Sequence, residues 1–370
     1  MRLDWLRTTT TDDGPFATVV LDVTQDTPDG AEQVRLRWRS AREDLARQGA
    51  DDKALDRLEE AVTGAGASDG TGGRVLVAGA DGVLVDRVVD TPPERGLAHW
   101  GTTPDLLSVA TAVPEVIRTV VASIDEEGGE VRGPGDTEAH RVRGDSSGPV
   151  HKTSPGGPSD GPVQERVEET WRRNAQAVAA EVDTAVRSGA AQLVVLLGDA
   201  RSRSRLRDEL SAGSVELVAE IEHTGGQPSA ELPDTVVAAA DDVRTRRRSE
   251  ALERFAAAAG RSDGLAVTGL ADVASATRAH AVEVLVLDPE RRPTDELWLG
   301  ADPSEVSLQR DELVALGREP GATAEAASAL VRAAVSTDAE LVLAGPGAGT
   351  GVELSDGVGA VLRFPIGPGS

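Results

Sequence analysis

Residues 163–187, VQERVEETWRRNAQAVAAEVDTAVR, set Val163, Val167, Trp171, Val178, Val182 and Val186 along one face at helical spacing. A helix of that length is a rod of roughly 37 Å at about 1.5 Å per residue, and its apolar stripe needs an equally long surface to cover. The chain that follows supplies one. AQLVVLL, an arginine-rich helical stretch, VELVAEI, a helix from about 234 to 259, GLAV, a short helix and AVEVLVLD succeed one another. Strands this uniformly apolar are buried on both faces, so they belong to a largely parallel or mixed sheet covered by helices. The pattern predicts an α/β chain of three domains, 1–114, 115–235 and 236–370.

The N-terminal part reads as a strand, FATVVLDV (16–23), and a second strand, QVRLRWR (33–39). A helix then runs through about Val62, with Leu45, Leu55, Leu58 and Val62 as apolar positions and an interruption near Gly49 that splits it in two. RVLVAG and GVLVDRVVD flank Ala80-Asp81 as a hairpin. TVVASID and GEVRG flank Glu126-Glu127 and open the second domain near residue 115. From 133 to 162 the chain is polar and rich in Gly, Pro and Ser, and a loop this long in a compact protein is a candidate for function. The last third closes with a helix at 321–335, the strand AELVLAG and a terminal strand, GVGAVLRFP.

No apolar run approaches the ~20 residues that span a bilayer, so no membrane partner is expected. The opening MRLDWLRTTTTDDG lacks the apolar centre of a secretory signal. The chain has no cysteine, which removes disulfides, thiol catalysis and Cys-based zinc sites. Its histidines, at 99, 140, 151, 223 and 280, have no metal-ligand spacing, and nothing in the pattern calls for a cofactor. All of this fits a reducing cytoplasm. A net charge of −25 argues against a protein that coats DNA, or any nucleic acid, indiscriminately. The charge is uneven, however. Residues 1–150 carry 16 basic and 28 acidic side chains, 251–370 carry 9 and 18, and 151–250 carry 13 and 17. An acidic body with a less acidic middle can dock RNA through one local surface.

From about residue 75 onward the chain resembles the bacterial branch of the release-factor/Pelota superfamily, including the Balon-type ribosome hibernation factors. AGADGVLVDRVVDTPPERGLAHWGTTPDLL is similar to that branch's first domain. VHKTSPGG, the long helix, AQLVVLLGDARSRSRLRDEL and VELVAEIEHTGG are similar to its middle domain, which implies an RNase H-like fold. GLAVTGLADVASATRAHAVEVLVLD is similar to its third domain, a ribosomal-protein-like α/β fold that binds partners. The family's hydrolytic Gly-Gly-Gln sits on a loop just before the long helix of the middle domain. Here that place reads Gly156-Gly157-Pro158, whereas Gly225-Gly226-Gln227 follows VELVAEI, where the family has a turn. Proline has neither a backbone N–H nor the glutamine amide. The decoding side departs as well: there is no Asn-Ile-Lys-Ser, and no Tyr or Cys for the aromatic/Cys codon-reading motif. The resemblance therefore implies a non-hydrolytic occupant of the A site of idle 70S ribosomes in contact with rRNA, delivered by a translational GTPase such as elongation factor Tu. It also permits a second reading, a peptidyl-tRNA hydrolase or rescue factor, in which Gln227 places the water.

Basic side chains suggest where RNA is met. His151 and Lys152 stand upstream of Gly156 and Gly157 in the polar loop, and Lys152 is one of only two lysines against 36 arginines. Arg166, Arg172 and Arg173 lie on the long helix opposite its Val/Trp stripe, and Trp171 reads as core. RSRSRLR places Arg201, Arg203, Arg205 and Arg207 just past a strand end. They either fork onto rRNA phosphates or form a solvated face pairing with Asp199, Asp208 and Glu209. RTRRR (244–248) has acidic neighbours and reads as locally paired. GPGAGTG (345–351) reads as a glycine turn, since no Lys-Ser/Thr ends it.

Overall fold

A computed structural model describes every residue except 13, 65–69, 126–127, 137, 144–160, 223–233, 262, 346–352 and 368–370, with the side chains of 125, 128 and 161–167 also undescribed. His151, Lys152, Gly156-Gly157-Pro158, Gly225-Gly226-Gln227 and most of GPGAGTG lie outside the described residues, as does the side chain of Arg166. The chain forms two compact units, Met1–Glu115 with Arg248–Ser370, and Val116–Arg247.

The first unit begins with α1 (Thr8–Thr11), β1 (Phe16–Asp22), α2 (Gly30–Arg47), α3 (Asp52–Thr63), β2 (Gly73–Ala78), β3 (Val83–Val89), β4 (Leu97–Gly101) and α4 (Leu106–Ala112). The strands form an antiparallel sheet in the order β3-β2-β1-β4, with the expected hairpin between β2 and β3. The expected strand at 33–39 is corrected: it is the centre of α2. Val34, Trp38, Ala41 and Leu45 recur at helical spacing and are buried, while Leu36, which a strand would pair with Val34 and Trp38, is exposed. α2 and α3 are separate helices, as the break near Gly49 implies, and Asp51 starts α3 by accepting the Ala54 N–H at 2.7 Å. They cover one face of the sheet through Ala17, Val19, Leu21 and Leu76.

The second unit holds β5 (Thr119–Asp125), β6 (Gly128–Arg132), β7 (His140–Val142), α5 (Gly161–Arg187), β8 (Leu193–Gly198), α6 (Ala200–Glu209), α7 (Ala212–Val215), β9 (Val218–Glu222) and the start of α8 (Asp234–Ala259). Its five-stranded sheet has the order β7-β6-β5-β8-β9. β5, β8 and β9 are parallel, and β6 is antiparallel to both β5 and β7. The long polar segment thus contains a short strand, β7, and VELVAEI gives its first residue to α7 before β9 starts. Alternate residues of β5 face opposite layers. Val120, Ala122 and Ile124 pack with Ala175, Val178 and Val182 of α5 and Leu206 of α6, whereas Val121 packs with Val195, Val236 and Ala240 on the α8 side. α5 approaches β6 closely at Gly129, where a Cβ would collide with Val178 and lie 2.7 Å from the Ser123 carbonyl oxygen.

The remainder of the first unit contains β10 (Ala266–Thr268), α9 (Leu270–Arg278), β11 (Val282–Leu287), β12 (Glu296–Leu299), β13 (Val306–Ser307), α10 (Arg310–Ala315), β14 (Thr323–Glu325), α11 (Ala326–Ser336), β15 (Glu340–Leu343) and β16 (Val358–Leu362). One sheet runs β10-β16-β11-β15, with β11 and β15 parallel, and a small one runs β13-β12-β14. The helix expected at 321–335 begins later because 323–325 pair with β12. Phe16, Val20 and Val75 share one apolar cluster with Leu285, Leu330 and Leu341, so both stretches of this unit build a common core. Phe255 of α8 is fully buried against the other face of the β11 sheet.

Candidate RNA-facing rim of the second unit

Topology gathers the basic elements. Two antiparallel steps bring β7 back to the direction of β5, so β7, β5, β8 and β9 all end at one rim of the sheet. β7 and β9 form the opposite edges of the sheet at this rim, four strand spacings or roughly 19 Å apart. α5 starts there after the first of them, and α6 starts there after β8. The N-terminal halves of α5 and α6 are therefore neighbours on one face, and side-chain contacts between them bear this out. Arg201 lies 3.8 Å from Glu168, and the Arg205 guanidinium sits 5.1 Å from the centre of the Trp171 ring.

The arginines of α6 divide by helical angle. Positions 201 and 205 share one face and turn toward α5; positions 203 and 207 share another. Arg203 and Arg207 both reach Glu220 of β9, at 3.4 and 3.2 Å, and Arg203 also donates to the Gly198 carbonyl. The Arg203 side chain is only 13% exposed, against 74% for Arg201. Its donors are committed to the sheet edge. Of the carboxylates expected to pair with this helix, Asp199 instead caps α6, accepting the N–H groups of Arg201 at 2.8 Å and Ser202 at 3.0 Å and the Ser202 hydroxyl at 2.9 Å. The Ser202 N–H and hydroxyl hold its carboxyl below the ordinary aspartate range.

On α5, Arg172 and Arg173 are exposed. Arg173 bonds Glu169 at 2.7 Å, and that bond lowers the Glu169 carboxyl. Arg172 and Arg205 make no hydrogen bond or ion pair among the described residues. Trp171, read from sequence as core, is half-buried, because at this end of α5 it is α6's Arg205 that covers its ring. Two further contacts brace the rim's scaffold. His140 Nε2 lies 2.7 Å from Glu181 Oε2, tying β7 to α5. Asp183 of α5 receives the Ser211 hydroxyl at 2.8 Å and the Ser214 hydroxyl at 2.6 Å. Burial raises the Asp183 carboxyl, but the hydrogen bonds from Ser214 and Ser211 outweigh it and leave the group lowered.

Elsewhere, Arg244 pairs with Asp241 within α8. Among the described residues no cluster of His, Cys, Asp or Glu could hold a metal ion, and no helix is long and apolar enough to cross a membrane.

The model of bacterial archaeo-eukaryotic release factor family 2 matches residues 118–261, which takes in the whole rim. The uncharacterized proteins MT2704 and Rv2629 of Mycobacterium tuberculosis, strains CDC 1551 and H37Rv, are each 30% identical to this chain, covering 98% of it and 97% of their own length. Among solved structures, ribosome-bound archaeal Pelota aligns with TM-score 0.40 and 13% identity over 98% of this chain and 94% of its own. Dom34 of S. cerevisiae, a translation termination-like factor, aligns with TM-score 0.39 and 11% identity over 80% of each chain. On the two sequence matches, the protein belongs to the bacterial archaeo-eukaryotic release factors of family 2.

Proposed function

We propose that this protein is a ribosome-binding translation factor that occupies the A site of idle 70S ribosomes without hydrolysing peptidyl-tRNA. One observation carries the non-hydrolytic part. The stretch between β7 and α5, where the resemblance places the hydrolytic Gly-Gly-Gln, reads Gly156-Gly157-Pro158. Water positioning by that tripeptide uses the backbone and amide of its third residue, and proline supplies neither donor. The strand order of the second unit, with three antiparallel strands followed by two parallel ones, supports the RNase H-like reading of the middle domain. In this reading His151, Lys152, Gly156 and Gly157 belong to a tip that enters the ribosome. Arg166, Arg172, Arg173, Arg201 and Arg205 face rRNA behind it, while Arg203, read from sequence as part of the same set, is held at Glu220. The division 1–114, 115–235 and 236–370, a cytoplasmic location and delivery by elongation factor Tu through the second or third domain go with the same reading.

Purified protein is expected to bind 70S ribosomes with an affinity that falls as salt rises. It should release little peptide from peptidyl-tRNA complexes even at saturation. One specific feature favours the second reading, a hydrolase: the intact tripeptide Gly225-Gly226-Gln227, which follows β9 in the sequence. Gln227→Ala decides between them. Turnover comparable with a genuine release factor, lost in this variant while the fold is intact, would replace the occupant by the enzyme.

A further inference from the structure

We infer that Arg205 grips a phosphate of ribosomal RNA and that Trp171 is the positioning residue that presets its guanidinium for this contact. The inference rests on the proposed ribosome binding and assigns the donor group within it.

An anion arriving at this rim meets few free donors. The first N–H groups of α6 are spoken for, because Asp199 accepts from Arg201 and Ser202, so the helix start offers no anion pocket. Arg203 and Arg207 are drawn to Glu220, and Arg173 to Glu169. Arg205 is different. Its guanidinium lies 5.1 Å from the centre of the Trp171 ring and has no hydrogen bond or ion pair among the described residues. A guanidinium held over an indole is attracted by the ring's negative face, and its N–H groups, which have no acceptor among the described residues, remain free to fork onto two oxygens. The ring also removes much of the rotamer freedom an exposed arginine would lose on binding. Arg172, next to Trp171 in sequence and likewise without a hydrogen bond or ion pair among the described residues, adds a second positive charge on α5. A phosphodiester backbone suits this arrangement: planar forks match phosphate oxygens, and a guanidinium that meets phosphate oxygens carries no base preference.

The test is a salt titration of affinity for purified 70S ribosomes, using the full chain. Each phosphate contact contributes about one unit to the log–log slope, so Arg205→Gln is expected to flatten it by about one. Arg205→Lys keeps the charge but not the fork, and should restore the slope without the full affinity. Trp171→Leu should weaken binding about two- to fivefold, the strength of an exposed cation–π contact, and leave the slope intact. A merely structural tryptophan would act in any background. Here the Trp171→Leu effect should vanish once Arg205 is Gln. If Trp171→Leu does not fold, Trp171→Phe keeps a ring of weaker pull and gives a smaller step in the same direction. Arg39→Gln, on an exposed face of α2, is the charge-matched control and should change nothing. Wild-type binding with an unchanged slope in Arg205→Gln overturns this inference and leaves the ribosome reading standing. A Trp171→Leu loss that persists in the Arg205→Gln background overturns the positioning role. Failure of the wild type itself to bind 70S particles overturns both.

Discussion

Replacing Arg203 by Gln should weaken the fold of the second unit without touching its RNA slope. The side chain is 13% exposed, donates to the Gly198 carbonyl and lies 3.4 Å from Glu220, which Arg207 shares at 3.2 Å. At such a separation the gross attraction is about 1–5 kcal/mol for an effective dielectric between ~80 and ~20. Desolvation of both ions takes back part of it, and hydrogen bonds to charged groups net about 1.5–3 kcal/mol. Glu220 keeps Arg207 in the variant, so the lower part of that range applies and we expect a loss of about 1–2 kcal/mol. Arg201→Gln is the comparison: 74% exposed and 3.8 Å from Glu168, it should cost no more than about 0.5 kcal/mol. The assay is urea unfolding followed by amide exchange in β8 and α6, which reads this unit separately from the other. Equal stability of the two variants would refute the assignment of Arg203 to the scaffold. So would a salt slope for 70S binding that drops by about one in Arg203→Gln.

Two further outcomes follow from the same unit. Asp199 has a lowered carboxyl, so its capping contribution is present above the unfolded pKa of about 3.9 and is lost as pH falls through the folded value. Asp199→Ala should therefore cost about 1 kcal/mol near neutrality, and unfolding curves of variant and wild type should converge in acid. Gly129→Ala should cost about 1–3 kcal/mol in the same melts, because its Cβ meets Val178 and the Ser123 carbonyl; adding Val178→Ala should cost less than the sum of the two single changes.

The sequence is most legible where periodicity and burial agree. α5, β8 and α6 fall where the Val/Trp stripe and the run LVVLL place them: Val178 and Val182 of α5 and Leu206 of α6 pack with Val194 and Leu196 of β8, while Val195 and Leu197 face the α8 side. QVRLRWR misleads because Val34 and Trp38 are four apart, a spacing that satisfies period two and period 3.6 alike; only the exposure of Leu36 and the burial of Ala41 and Leu45 separate the readings. β4 and β12 leave little trace in the sequence: they are short, and β4 is half-buried throughout. At the rim, the arginines are visible as charge but their partners are not. Glu220 is 17 residues from Arg203 and comes into reach only because β9 adds beside β8. Trp171 carries the stripe's spacing, yet a stripe says nothing about which neighbour covers its last ring, and here it is a guanidinium.

The shared direction of the strands also gives the second unit a back. The turn at 188–190, with Gly189 at φ +69°, joins α5 to the start of β8 and lies about 20 Å of strand away from the rim. Ser188 is exposed there, and the chain has no cysteine of its own. Ser188→Cys would thus create a unique thiol to which a dye can be coupled without competing reactions. Such a dye would ride outside the contact surface and report arrival at and departure from single ribosomes in real time.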